Sequence, residues 1–449
     1  MGNTKHSENL ANFIAQTSWE EIPIEAFHQS KRPILDGIAV IFAGLQEEIG
    51  RGIISFVKDL GGKPTSSILG DGHRTSAPWA AYANGTLAHA IDYDDMNVHM
   101  GGHPTAPVLP ALLAVGEMVG ASGKEILLAY LLGVEVEAKL GLAINKVHYN
   151  LGWHPTATLG TLGAAVACSK VLKLSRDQIL MALGIAGSQA SALKQNFGTM
   201  TKPLHIGQAA KNGVLSSLLA SRGWTADREI LEGHFGFCNL FAGRGLYDLK
   251  DMTENLGKPF DVLQPGIEIK KYPCCGSTHP SLEAMFMILQ KEAFSSEEVE
   301  SVECEVDPER VHVLLHPNPQ SGLEAKFSLE YCLAAAILDR RVSIEQFTDE
   351  RVKESRVKSL LPKIKAGQQL DLKPLSVRLR VRLRDGQVFE EEKSGSLPGI
   401  TSWDALEAKY RDCLATMLSE RQIQQSLKMI QELEKIKNIS DLLKILVAQ

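Results

Sequence analysis

The sequence is short of the features that mark several large protein classes. It has no basic surplus: 47 Lys and Arg stand against 53 Asp and Glu, a net charge of −6. Nucleic-acid binders normally carry excess positive charge to meet phosphates, so no nucleic-acid partner is expected. No apolar run reaches the roughly 18 residues that span a bilayer, so no membrane partner is expected either. The seven cysteines are scattered through 449 residues, odd in number and without a C-x-x-C pair. That pattern suits neither a disulfide framework nor a structural zinc site, and it points to a reducing, cytoplasmic compartment. Met1 to Ser7 lacks the charged-then-apolar plan of a signal peptide, and His6 stands where a myristoylation signal needs Ser or Thr. Phosphate loops, nucleophile elbows, dinucleotide fingerprints, internal repeats and low-complexity tracts are also missing.

What is present is an ordinary globular composition, 44% hydrophobic and 22% charged, in a chain long enough for two or three domains. Residues 1–60 carry apolar residues at helical spacing, as in Ile34, Ile38, Ala39 and Phe42. Pro78 to Asp95 is rich in Ala and Gly, the composition of a helix packed closely on its neighbours. Ser122-Gly-Lys-Glu125 and Ser175-Arg-Asp-Gln178 are capping boxes that open helices. The first 260 residues are therefore expected to be almost wholly helical. The pattern changes near Gln264-Pro-Gly266, where turn formers cluster. Beyond it Val302, Cys304 and Val306 alternate with charged residues, and Val377, Leu379, Val381 and Leu383 alternate with arginines, as half-buried strands do. A helical stretch, Leu323 to Leu338, lies between them. This α+β block closes at Ser394 to Gly399, after which Ser402 and Ser419 open two helices that pack back on the N-terminal body. The expected fold is mainly α: a large helical domain of residues 1–266 plus 401–449, with an inserted smaller α+β domain over 267–400.

The densest set of ionisable residues runs from His89 to Pro110. On a helix, Asp92, Asp95 and His99 would share one face, with Gly101-Gly102 ending it and His103-Pro104 placing a second imidazole on a loop. Carboxylates beside imidazoles suit proton transfer near neutral pH, although the same residues also serve as ordinary caps and buried structural partners. Asp95 and His99 have a helical ligand spacing, but no comparable third ligand cluster follows, so no metal site is expected. His154-Pro155 leads into another helix. Lys202 precedes Pro203 at a helix start, where a cation and free N–H groups can hold an anion. Lys270-Lys271-Tyr-Pro-Cys-Cys275-Gly-Ser-Thr-His279 lies at the junction of the two expected domains. Together these segments offer His, Asp, Lys and Cys without a nucleotide motif, which favours cofactor-independent proton chemistry on an anion.

The same segments resemble the MmgE/PrpD family. The resemblance rests on Ala88-His-Ala-Ile-Asp92-Tyr-Asp-Asp95 with Gly102-His103-Pro-Thr-Ala-Pro-Val-Leu-Pro110, and on Gly152-Trp-His154-Pro-Thr. It continues through Met200-Thr-Lys202-Pro-Leu-His205-Ile-Gly-Gln-Ala-Ala, Lys271-Tyr-Pro-Cys-Cys-Gly-Ser-Thr-His279 and Glu324-Ala-Lys-Phe-Ser-Leu-Glu-Tyr331. These blocks keep the family's order and cover nearly the whole chain. The resemblance implies a helical domain built from both chain ends, an inserted α+β lid, a homodimer, and no metal or organic cofactor. It implies a small di- or tricarboxylate substrate and a proton moved at a carbon next to a carboxylate, as in 2-methylcitrate dehydratases, cis-aconitate decarboxylases and iminodisuccinate epimerases. By resemblance Asp92, His103, His154 and Lys202 line the active site, with Cys275 as a further acid or base. His103 is the expected base, and Lys202, with Lys271 or Lys270 as a weaker candidate, the expected carboxylate clamp. Asp95, His99, Lys271, His279 and Tyr331 are expected around the substrate. Cys275 and Met96 stand where the decarboxylase branch has a histidine and a polar residue, so dehydration is the first expectation, with epimerisation or decarboxylation as alternatives. A carboxylate-binding protein without catalysis is the non-enzymatic alternative.

Overall fold

The computed structural model describes residues 5–307, 313–373, 376–394 and 399–448. The turn expected from Ser394 to Gly399 falls largely outside those residues, as do Met1 to Thr4. The N-terminal half is built from helices α1 (His6–Gln16), α2 (Ile24–Leu45), α3 (Glu48–Leu60), α4 (Ala77–Ala88), α5 (Thr105–Val119), α6 (Gly123–His148), α7 (Pro155–Val171), α8 (Arg176–Gln189) and α9 (Thr201–Ala220). The two expected capping boxes are formed: Glu125 accepts from the Ser122 N–H at 2.8 Å, and Gln178 from the Ser175 N–H at 3.0 Å. The expectation of nearly continuous helix to residue 260 is too strong. Ser66–Ser67 and Arg74–Thr75 pair as a short antiparallel ladder, and beyond α9 the chain is mostly irregular to residue 260, with short helices at Phe237–Phe241 and Leu249–Glu254.

Small residues set the geometry that matters for the site. Helices α4, α5, α7 and α9 pack on one another in the centre of the body. A Cβ added at Gly207 of α9 would lie 2.3 Å from the Tyr82 carbonyl oxygen of α4, so the two backbones approach as only glycine permits. At Gly213 the same atom would lie 2.4 Å from Ala164 of α7. This close approach brings the first turn of α9, which carries Lys202, against the C-terminal end of α4, where His89 follows Ala88.

The longer elements of the C-terminal half are α10 (His279–Lys291), α11 (Leu329–Asp339), α12 (Trp403–Leu414) and α13 (Glu420–Gln431), with strands β1 (Val299–Val306), β2 (Ile364–Gln368), β3 (Val377–Leu383) and β4 (Val388–Lys393). The strands form one sheet in the order β2-β1-β3-β4, with β1 parallel to β2 and antiparallel to β3. On β3 the valines and leucines face inward, whereas Arg378 and Arg380 pair outward with Glu305, Glu392, Glu303 and Glu390. The helix expected over 323–338 breaks, because the Ser328 hydroxyl accepts the Tyr331 N–H at 3.1 Å and starts α11 afresh. Tyr272, Cys274 and Leu282 share a core with these strands and α11, while Leu406, Tyr410, Leu427 and Leu446 share the core of α2, α4 and α5. The chain is mainly α, with one four-stranded sheet and the short two-stranded ladder among the described residues.

Candidate active site

The segment after α4 is where the sequence pattern misleads. Helix α4 ends at Ala88, and residues 89–104 turn repeatedly instead of continuing it. Asp92 takes φ 55°, a left-handed conformation that no right-handed helix contains. The backbone of Met96 pairs with Glu268 at 2.8 Å in both directions, and the Asn97 N–H reaches the Gly102 carbonyl at 2.9 Å. The three residues expected on one helix face therefore diverge. Asp92 enters a buried cluster. Asp95 turns to α5, where its carboxyl receives the Thr105 N–H at 3.2 Å and the Thr105 hydroxyl, and burial first, then the Asp36 and Asp94 charges, push its pKa well up. His99 turns away to Asp261, with Nδ1 at 2.6 Å from the carboxylate.

Asp92 is the centre of the cluster. Lys270 Nζ sits 2.9 Å from its Oδ2 and 2.8 Å from its carbonyl oxygen, and Lys202 Nζ contacts its Oδ1. Burial alone would raise this carboxyl, but the two ammoniums hold it well below the usual carboxylate range. Lys202 Nζ also lies 2.7 Å from His89 Nε2, and His89 Nδ1 lies 2.7 Å from Asp94 Oδ2. An ammonium can only donate, so His89 Nε2 accepts and its Nδ1–H donates to Asp94. Asp94, His89, Lys202 and Asp92 thus form one hydrogen-bonded chain. Burial lowers the His89 pKa and keeps this ring neutral.

His103 lies at the edge of that chain, 4.8 Å from the His89 ring. Its Nδ1 is 2.7 Å from the Asp95 carbonyl oxygen, which can only accept, so Nδ1 carries the proton and Nε2 presents a lone pair. Among the described residues Nε2 has no hydrogen-bond partner. Burial pushes the His103 pKa down to about 3, so the ring is a neutral acceptor at physiological pH. His154, at the start of α7, sits 5.6 Å from His89 on ring centroids, and its pKa is well lowered by burial, then by Lys202. With the imidazoles neutral, Asp92 and Asp94 balance Lys202 and Lys270. The Phe197 and Phe327 rings lie 5.2 and 5.1 Å from Lys202 Nζ and close an apolar wall over it.

Cys275 is half-buried and does not give up its proton readily, since burial and then the Asp92 charge raise its thiol pKa. The fully buried Lys326, whose carbonyl takes the Cys275 N–H at 2.9 Å, feels the Asp92 charge from the side of the sheet-bearing half. The structure does not bring four of the other expected residues to this cluster. Besides His99, Lys271 points outward to Glu283 at 2.8 Å, because neighbours in an extended segment face opposite sides and it is Lys270 that faces Asp92. His279 lies 3.3 Å from the Cys274 carbonyl and against Tyr272. Tyr331 donates to the Gln346 carbonyl. Sequence reasoning missed His89 and Asp94 as participants, along with His205 and Lys326. The one available signal was their place inside the same polar stretches as the residues that were found.

Among the described residues, His89, Asp92, Asp94 and His103 place possible ligand atoms within 4.8 Å of one another. The Nδ1–H groups of both imidazoles are already donated, and the Asp92 oxygens hold ammoniums. The positions a divalent cation would need are taken by Lys202 and Lys270, so this donor set does not fit a metal as it stands.

Neutral imidazoles around a lysine-held carboxylate, closed off by aromatic rings, are the equipment of an acid–base enzyme. The chain belongs to the MmgE/PrpD family: the model of the family's N-terminal domain matches residues 8–249 and that of its C-terminal domain residues 272–435. Over nearly its full length it is similar to cis-aconitate decarboxylases. The mouse protein is 29% identical over 460 residues, covering 98% of this chain and 93% of its own. The human protein is 29% identical over 453 residues, covering 97% and 93%. The Aspergillus terreus protein is 26% identical over 475 residues, covering 98% and 95%. No helix among the described residues is long and apolar enough to cross a membrane.

Proposed function

We propose that this protein is a cofactor-independent lyase acting on a small di- or tricarboxylate by proton transfer at a carbon next to a carboxylate. The observation that carries the proposal is His103, whose Nδ1–H is spent on the Asp95 carbonyl, leaving Nε2 unpaired among the described residues on a ring 4.8 Å from His89 at the edge of the lysine-held Asp92 cluster. Removing a proton beside a carboxylate builds negative charge, and Lys202 and Lys270 are fixed where they can stabilise it. Elimination of water from a 2-methylcitrate-like hydroxy acid is the favoured reaction, because it uses two groups. His103 Nε2 takes the carbon proton, the released electron pair forms the double bond, and the leaving hydroxyl departs as water with a proton from His154. Two separate neutral imidazoles supply that base and that acid.

Decarboxylation is the second reading, favoured by the names of the similar mouse, human and fungal proteins. It requires a proton donor but no separate base, and Met96 and Cys275 replace the residue types expected in that branch. The separate core of residues 272–389 supports a division into a helical body of 1–266 plus 401–449 and a lid of 267–400, with Lys270 and Cys275 supplied from the lid.

Proton NMR in deuterium oxide, with 2-methylcitrate, citrate, cis-aconitate and iminodisuccinate as a panel, tests the proposal. New vinyl or methyl signals from a hydroxy acid are the expected result. Carbon dioxide released from cis-aconitate would select the second reading, and deuterium entering a substrate without net loss would indicate epimerisation. Silence across the panel would overturn the lyase assignment for these substrates.

A further inference from the structure

His154 is anchored in an unusual way. A buried structural histidine is normally fixed on a carbonyl or carboxylate, as His148 Nδ1 is on the Phe241 carbonyl at 3.0 Å. His154 Nδ1 instead meets another imidazole, His205 Nδ1, at 3.2 Å, and among the described residues its ring has no other hydrogen-bond partner. His205 stands one turn after Lys202 on α9, with its ring centroid 5.5 Å from that of His154. Its ring also lines a cavity of about 130 Å³ with Thr161, Gln189, Ser191, Gln208 and Asn212. Ala192, Leu204 and Ala209 supply much of the remaining wall, and the polar side chains are tied together there: Gln208 donates to Asn212 at 2.9 Å, and Asn212 donates to the Gln189 carbonyl at 3.1 Å. Ser191 is exposed at its rim, and the space suffices for several waters.

We infer that His205 is a proton-relay residue, and that the His205–His154 pair connects the reaction site to water in the cavity beside α9. The inference rests on the acid–base reading of the site above. A hydrogen bond between two neutral imidazoles through Nδ1 holds one proton, so the rings must carry opposite tautomers. Both rings are neutral near pH 7: burial, then His89 and Lys202, pushes His205 down to about 4, and His154 is lowered well below its ordinary value by burial, then Lys202. When His154 is the Nε2–H tautomer it presents an acid to the substrate. As Nε2 gives its proton to the leaving group, Nδ1 takes the proton from His205 Nδ1, and His205 Nε2 takes one from a cavity water, leaving a hydroxide that the proton returned after product release neutralises. After product leaves, the proton that His103 took from carbon returns through water in the emptied site to His154 Nε2. The same chain then runs backward to the cavity and restores the starting tautomers. His205 acts through His154 and does not touch the substrate.

The test uses the full chain with His205→Ala and His205→Gln, both checked for native circular dichroism, on whichever panel compound the wild type turns over. His205→Ala is expected to lose about 100-fold in kcat with KM little changed, within the range that proton-transfer groups contribute. Imidazole in solution, entering through the cavity, should restore at least a tenth of the lost rate to His205→Ala but none to His205→Gln, whose side chain fills the space. A variant within about 2-fold of wild type, or a loss that imidazole does not relieve, would overturn the relay. A second measurement needs no substrate: nitrogen-15 NMR of histidine-labelled resting enzyme should show His154 and His205 in opposite tautomers, a pairing lost in His205→Gln. Rings in the same tautomer would overturn the relay even in an active enzyme. If the wild type turns over nothing in the panel, the lyase reading fails, and the tautomer measurement alone decides the relay.

Discussion

Replacing Asp92 with Asn removes one charge and almost no volume from the middle of the cluster. In the wild type the carboxylate holds Lys270 Nζ at 2.9 Å and Lys202 on its other oxygen, and all three side chains are at most 5% exposed. A unit pair at that separation attracts by about 6 kcal/mol at an effective dielectric of about 20. Against this stands a desolvation cost of several kcal/mol for each buried ion, so the net contribution is far smaller than the attraction. The asymmetry decides the outcome of the substitution: removing one partner leaves buried charge uncompensated, which costs about 3–5 kcal/mol. In Asp92→Asn two ammoniums remain, with Asp94 reached only through His89, so a loss of about 3–5 kcal/mol is expected at pH 7. The pH dependence supplies a signature. Asp92 has a folded pKa below its unfolded one, so its contribution is fully present above the unfolded value of about 3.9 and is lost as pH falls through the folded value. The stability gap between wild type and variant should therefore be constant above about pH 5 and close progressively below about pH 4. Urea denaturation across that range measures it. A variant within about 0.5 kcal/mol of wild type at pH 7, or a gap unaffected by acid, would refute the account of this cluster.

Four further outcomes follow from the same geometry. His103→Ala should stay folded and lose about 10²–10⁴-fold in kcat, measured on the compound the wild type converts. In the wild type, kcat/KM corrected for substrate ionisation should show no inflection near the ordinary imidazole value of about 6.5, because the free base has its pKa near 3. Lys271→Met should leave turnover within about 2-fold and stability within about 0.5 kcal/mol, its partner Glu283 being part of an exposed pair, whereas Lys270→Met should impair both. Gly207→Ala should destabilise the protein by about 1–3 kcal/mol or more in thermal unfolding, since the new methyl meets the Tyr82 carbonyl at 2.3 Å and must push α9 and Lys202 away from α4.

Much of the fold was legible because local rules and packing agree. The capping boxes at Ser122 and Ser175 open helices, and the alternation from Val377 to Leu383 is a strand with its arginines outward. The site was legible in part, and its errors share a cause. Spacing between Asp92, Asp95 and His99 was read on a helix, but a single left-handed residue and the ladder to Glu268 send the three side chains in different directions. Periodicity carries no signal for one reversed φ value, whereas residue types survive it, so Asp92, His103, His154 and Lys202 still meet. Lys270 and Lys271 are adjacent in sequence, and which one faces inward is fixed by pairing with residues far along the chain, including the Lys270 bridge to Gly399. His89 was passed over because its role depends on a long-range contact with Lys202, 113 residues away. The role of His205 is not legible in the sequence for the same reason, its partner His154 lying 51 residues earlier.

In the proposed mechanism His103 Nε2 moves a proton at a carbon beside a carboxylate held near Lys202 and Lys270. Mass and NMR analysis of deuterium incorporated from heavy water tests it directly, comparing wild type with His103→Ala on the panel of carboxylates. Deuterium at the carbon next to a carboxylate is expected with the wild type, and essentially none with the variant. Equal incorporation by both proteins would contradict it.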